Sequence, residues 1–268
     1  MATSTSSGLR RRRPTRFFVF TSPRSGSSWL VDLLDSHPRI AAYAELFLPG
    51  DRTVPTYGNL DLPRFETTLA PRRRLSLVPA RIGYLNRLYA TRPGVDAVGF
   101  KLMYGHPRVH PGVLASLTLR RARAIHLIRS NTLDQIVSRE TAQARGLFRA
   151  HEGEDVRPVA VRVDTRGLVD RLRTMEDAVD DARKTLRRRQ IATLEVVYER
   201  LRESPENELD RILPFLDVER SAWSPASSLV RMNTGALADV VENLAEVAAA
   251  LAGTRFAWML ERELGVRV

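Results

Sequence analysis

Apolar and polar positions along this chain come in blocks that switch between strand-like and helix-like spacing. Residues 17–20, Phe-Phe-Val-Phe, form an unbroken apolar run suited to a strand buried on both faces. Small polar residues follow, and Trp29-Leu-Val-Asp-Leu-Leu then takes up helical spacing. The first helix is therefore expected over 28–36, with Pro38 forcing its end. Apolar runs at 40–44, 97–103, 124–128 and 193–197 read as further strands. Helices are expected over 112–119, 133–145, 168–188, 205–215, 237–251 and 256–264. The longest of them places apolar residues at 168, 169, 172, 175, 179, 182 and 186, one stripe of a helix. Residues 49–95 are rich in Pro, Gly and Arg and read as a loop-rich insertion with one helix near 79–90. Residues near 139–165 are expected to hold a mobile excursion, centred on 152–163, and residues 1–15 a disordered basic tail. Strands alternating with helices predict a single α/β domain over 16–268. Its expected form is a three-layer sandwich around a mostly parallel sheet.

Ligands of such sheets bind at the carboxyl ends of the strands. That rule gathers residues 22–29, Glu45, residues 101–106, Arg129 and Tyr198 at one edge. The turn after the first strand, Thr21-Ser-Pro-Arg-Ser-Gly-Ser-Ser-Trp29, has the make-up of an anion site. Unpaired N–H groups and the dipole at a helix start favour negative charge. Gly26 lets backbone come close to a phosphate, Ser25, Ser27 and Ser28 add hydroxyl donors, and Arg24 adds a forked cation. Against the template G-x-x-x-x-G-K-[ST], Ser27 stands where the phosphate-binding Lys belongs. The strand at 124–128 ends in Arg129 where an Asp would help hold Mg²⁺. A divergent nucleotide kinase is therefore the weaker reading.

The net charge is +11, which raises a nucleic-acid reading. Lys stands only at 101 and 184, and the other 40 of the 42 basic residues are Arg, mostly dispersed among acids. That skew looks compositional, and no nucleic-acid partner is expected. A non-catalytic nucleotide- or RNA-binding protein using the basic tail stays as a third reading. With no cysteine, no disulfide framework or Cys-based metal site is expected, and no apolar run is long enough for a membrane span. A cytoplasmic location is expected.

Two motifs together resemble the sulfotransferase superfamily, whose members use 3′-phosphoadenosine 5′-phosphosulfate (PAPS) without a metal. The first is the turn at 21–29. The second is a strand leading to an Arg, with a Ser nine residues on: Ile125-His-Leu-Ile-Arg129 and then Ser138. A third signature, an apolar strand ending in Tyr-Glu, is Leu194-Glu-Val-Val-Tyr198-Glu199. Ala44-Glu45-Leu-Phe and Gly99-Phe-Lys101-Leu-Met103 are most similar to bacterial Stf0-type and nodulation-type carbohydrate sulfotransferases. The resemblance implies transfer of a sulfuryl group from PAPS to a hydroxyl of a carbohydrate or small metabolite, and leaves a homodimer open.

It also implies roles. Arg24 would stabilise charge on the leaving oxygen, and residues 25–28 would bind the 5′-phosphate. Arg129 and Ser138 would hold the 3′-phosphate. Trp29 would stack on adenine or pack the first helix; Tyr198 would meet adenine or serve the core. Arg231 and Asn233 are candidate contacts to the same cofactor. For the base, Glu45 is favoured and His106 is the runner-up; His37 sits at the wrong end of the first helix, and His126 lies inside a buried strand. Lys101 would touch the sulfuryl oxygens, pair with Glu45 or simply snorkel.

Overall fold

A computed structural model describes residues 13–47, 65, 78–90, 92–146, 159–220, 222–229 and 236–263. Among these, five strands make one sheet: β1 (Thr15–Thr21), β2 (Ile40–Tyr43), β3 (Ala97–Met103), β4 (Arg123–Ile128) and β5 (Thr193–Val197). Their order is β2-β3-β1-β4-β5 and every pairing is parallel. The helices are α1 (Ser27–Asp35), α2 (Val78–Leu88), α3 (His106–Val109), α4 (Val113–Leu119), α5 (Thr132–Arg145), α6 (Leu168–Arg188), α7 (Tyr198–Glu203), α8 (Pro205–Phe215), α9 (Leu237–Val240) and α10 (Leu244–Leu251). A 3-10 helix, Ala257–Glu263, follows.

Period-two alternation sorts the strands' side chains onto two faces. Phe18, Phe20, Val98, Phe100 and Leu102 pack against α2, α4 and the carboxyl half of α6. Phe17, Val19, Ile125, Leu127 and Val196 pack against α1, α7 and α8. The three layers expected from the sequence are therefore present. A further cluster joins α5, the start of α6 and the segments after Leu237.

The register of the two central strands aims the chemistry. Val19 pairs with Lys101, and Phe17 pairs with Gly99. Lys101 thus falls on the α1 face of the sheet. A Cβ on Gly99 would lie 2.4 Å from the Phe17 ring, so only glycine fits opposite that phenylalanine. β1 lies between β3 and β4, where the chain order around the sheet reverses, which is the place a ligand crevice forms.

Several boundaries differ from expectation for local reasons. The helix expected over 237–251 is two. It breaks where Val241 bridges Val161 and the Asn243 side chain both accepts from Val163 N–H and donates to Val163 C=O, each at 2.9 Å. The last helix is 3-10 rather than α. Helix α5 runs to Arg145, so residues 139–145 of the 139–165 stretch are helical; 147–158 lie outside the described residues. So do residues 1–12 of the basic tail and most of 49–77. No helix among the described residues is long and apolar enough to cross a membrane.

Candidate active site

The turn after β1 is held by hydroxyl bonds before any ligand is considered. Thr21 Oγ1 donates to the Leu127 carbonyl of β4 at 2.8 Å and shares a 2.6 Å bond with Ser25 Oγ. Ser25 is fully buried, and its hydroxyl bonds within the turn. Ser22 Oγ donates to Gln135 Oε1 at 3.0 Å, and Gln135 Nε2 donates to the Arg129 carbonyl at 3.1 Å. Gly26, at φ 83°, is the N-cap of α1, and no side chain caps the helix there. Its first turn keeps backbone donors of the kind that bind anions.

Gly26 has a second constraint. A Cβ there would meet the Tyr198 ring at 2.3 Å. Tyr198 opens α7 straight after β5, and its ring lies over the turn. The side-chain position at Gly26 is therefore filled by an aromatic ring. Trp29 packs edge-to-face on the same ring, with centroids 6.4 Å apart. Gly26→Ala is expected to cost about 1–3 kcal/mol of stability, from positive φ and the ring clash together. Urea melts measure this; an unchanged midpoint would show that Tyr198 yields freely.

Two groups of contacts flank the turn. In the first, the Arg129 guanidinium donates to the Arg24 carbonyl at 3.1 Å and to Asp134 Oδ2 at 2.8 Å. It also lies 4.7 Å over the Tyr198 ring. Its Nε is buried without a hydrogen-bond partner. Arg24 takes a left-handed backbone, φ 61°, and its Nε donates to Ser138 Oγ at 3.0 Å. Arg24, expected from the sequence beside the leaving oxygen and as a cofactor contact, is tied here to Arg129 and Ser138.

In the second group, Lys101 is 2 % exposed. Its Nζ lies 2.9 Å from Glu45 Oε1 and donates to Ser28 Oγ at 3.1 Å. The Glu45 segment is held from both sides: Lys101 N–H donates to the Ala44 carbonyl at 3.2 Å, and His110 Nε2 bonds the Phe47 carbonyl at 2.9 Å. Nearby, His106 is buried and its Nδ1 accepts from Met103 N–H at 3.2 Å. Burial pushes its ring down to about 4, against the pull of the Glu45 carboxylate. A neutral ring accepting at Nδ1 carries its proton on Nε2, where it is a donor. That arrangement speaks against His106 as the base.

Two other histidines among the described residues, His37 and His126, serve the packing. His37 is buried, with its ring 4.7 Å from that of Trp223. His126 is buried and shares a 2.7 Å bond with the Tyr104 hydroxyl. Arg231 and Asn233 lie outside the described residues. Sequence reasoning missed Asp134, Gln135, His110 and the part played by Glu199. Glu199 accepts from the N–H groups of Ser130 and Asn131, both at 3.1 Å, so the Tyr-Glu pair braces the turn after β4 as well as the one after β1. For Asp134 a signal existed: Asn131 caps α5 by accepting from Asp134 N–H, and Asn-x-x-Asp is a legible helix start.

A family model for sulfotransferases matches residues 14–224, most of the chain and both contact groups. The chain belongs to the sulfotransferase family. This sulfotransferase is 23% identical to nodulation protein H of Rhizobium tropici over 255 residues, covering 92% of this chain and 94% of that one. Among solved structures, it is similar to a sulfotransferase from Alicyclobacillus acidocaldarius: 18% identity, TM-score 0.49, 96% and 98% of the two chains covered. A mouse sulfotransferase, SULT7A1, solved with PAP, is 11% identical at TM-score 0.42, over 92% and 88% of the chains. Family membership makes the protein an enzyme and sets aside the kinase and non-catalytic readings.

Proposed function

We propose that this sulfotransferase uses PAPS as donor, bound in the turn at 21–29, and a carbohydrate or small-metabolite hydroxyl as acceptor. The observation that carries the reading is the Lys101 ammonium. It bridges Glu45 and Ser28, so a carboxylate, a buried cation and the uncapped start of α1 meet at one point. The two contact groups suit a nucleotide with phosphates at both ends. Arg129, with its unmatched Nε, and Ser138 with Arg24 receive the 3′-phosphate. Backbone N–H groups of residues 26–28 and the Ser28 hydroxyl receive the 5′ side. Trp29 and Tyr198 offer the aromatic surface for adenine.

When bound, the donor supplies an electrophilic sulfuryl group. Lys101 then stabilises negative charge on the leaving phosphate oxygen, and Glu45 takes the proton from the acceptor hydroxyl. The pairing of the two holds both side chains in place before the acceptor arrives. The carbohydrate assignment is supported by the likeness of the 44–47 and 99–103 motifs to nodulation-type enzymes.

Calorimetry tests the donor: 3′-phosphoadenosine 5′-phosphate is expected to bind without Mg²⁺ and ATP with Mg²⁺ to bind poorly, and the reverse order would overturn the reading. For the base, Glu45→Gln should keep nucleotide binding and lose turnover by about a hundredfold or more. His106→Asn, which can still accept from Met103, should stay within a few fold of wild type. If His106→Asn is the dead variant and Glu45→Gln the active one, the roles are reversed.

A further inference from the structure

A surface pocket of about 320 Å³ opens at the opposite end of the sheet, lined chiefly by Arg13, Arg16, Arg120, Arg121, Arg123 and Asp217. β1 begins at Thr15 and β4 at Arg123, so the pocket sits at the amino ends of two central strands. The turn at 21–29 follows the other end of β1, about 20 Å away at the usual rise per strand residue.

Five guanidiniums share one carboxylate among the lining residues. Asp217 Oδ2 accepts from Arg123 at 2.8 Å and from Thr15 Oγ1 at 3.1 Å. Arg16, Arg120 and Arg123 also donate to neutral acceptors. Arg16 donates to the Arg120 carbonyl at 3.2 Å; Arg120 donates to the Ser116 carbonyl at 3.0 Å and to Asn86 Oδ1 at 2.7 Å; Arg123 also donates to the Phe215 carbonyl. Such bonds fix the guanidiniums without cancelling their charge. Burial pushes the Arg120 pKa down, and the neighbouring Arg16 charge adds to it. Arg121 is held at φ 52°, in the left-handed region.

The surroundings point to the kind of anion. Leu119, directly before Arg120 and Arg121, is 84 % exposed. Arg120 also donates to the Ile82 carbonyl at 3.2 Å, which ties the end of α4 to α2, where Val78 and Ile82 are exposed as well. Among the described residues no aromatic side chain lines the pocket, so these residues offer no stacking platform for bases. Aliphatic side chains beside arginines suit an acidic bilayer surface, where guanidiniums meet phosphates and an apolar residue enters the acyl boundary. We propose that this edge of the protein docks on an anionic phospholipid surface, with lipid phosphates among the arginines and Leu119 inserted beside them. Arg13 is also the last of four consecutive arginines in the sequence, which adds charge of the same sign. Docking here turns the candidate active site toward solvent, and it does not depend on the donor or acceptor assigned above.

Cosedimentation of the full chain with vesicles tests this. Binding is expected to phosphatidylcholine–phosphatidylglycerol vesicles, weakening as salt rises, and not to phosphatidylcholine alone. Leu119→Ser should lower partitioning by about fivefold, and Leu119→Ser with Arg121→Glu by about twentyfold, with the melting temperature unchanged. Two results would overturn the proposal. One is no binding to the acidic vesicles. The other is full binding by Leu119→Ser together with displacement by a soluble RNA, which would make the patch a general polyanion surface.

Discussion

A Lys101→Met enzyme is expected to turn over about a hundred to a thousand times more slowly while remaining folded. Methionine fills much of the same buried volume, so the packing around 101 survives and the charge does not. Two losses follow from one change. The leaving oxygen loses its cation, which lowers kcat. Glu45 loses the ammonium 2.9 Å away, and stranding one member of a buried pair costs about 3–5 kcal/mol. Because the Glu45 side chain is 15 % exposed, water offsets part of that cost and the lower end applies. The double variant Lys101→Met with Glu45→Gln separates the two effects. It should recover most of the melting temperature and none of the turnover. A Lys101→Met enzyme within threefold of wild-type kcat would remove the lysine from the mechanism.

Arg129→Ala is expected to abolish the preference for a 3′-phosphorylated nucleotide, at about a hundredfold in affinity. In the wild-type chain Arg129 is oriented by the Arg24 carbonyl, by Asp134 and by the Tyr198 ring, and one donor nitrogen remains buried and unmatched. A phosphate is a natural partner for such a fork. Arg129→Lys keeps a charge and loses the fork, so its loss should be intermediate. Calorimetry with 3′-phosphoadenosine 5′-phosphate and with 5′-AMP gives the readout. Equal losses for both nucleotides would mean that Arg129 shapes the turn and does not read the 3′ end.

Much of this arrangement was legible in the sequence, because strand–turn–helix spacing is local. The apolar run at 17–20, the polar turn and the helical spacing from Trp29 place β1, the turn and α1 without any tertiary information. The strand carrying Arg129 and the one carrying Lys101 are equally plain. The direction of side chains was not legible. Nothing in the spacing says that Ser25 turns inward to Thr21, or that Arg24, left-handed in its backbone, leaves the turn toward Ser138; the first depends on the exact path of a tight turn and the second on a neighbour 114 positions away. The break between α9 and α10 was hidden for the same reason, since the bonds between Asn243 and Val163 span 80 residues. The basic charge was read as compositional skew, and that overlooked where the fold collects it. Arginines from positions 13–16 and 120–123 become one pocket only when the amino ends of β1 and β4 are brought together.

The hydrogen that Gly99 carries in place of a side chain sets the mechanical tolerance of the whole site. One central strand aims the turn and its neighbour aims the lysine, and the Phe17 ring occupies the space between them at position 99. A methyl group there would force the strands to part or slide, and either movement would change the offset between Lys101 and Ser28. A residue with no chemistry of its own is therefore the spacer that sets where Lys101, two residues further along the strand and the cation of the proposed mechanism, meets Ser28. The position has room for a single atom.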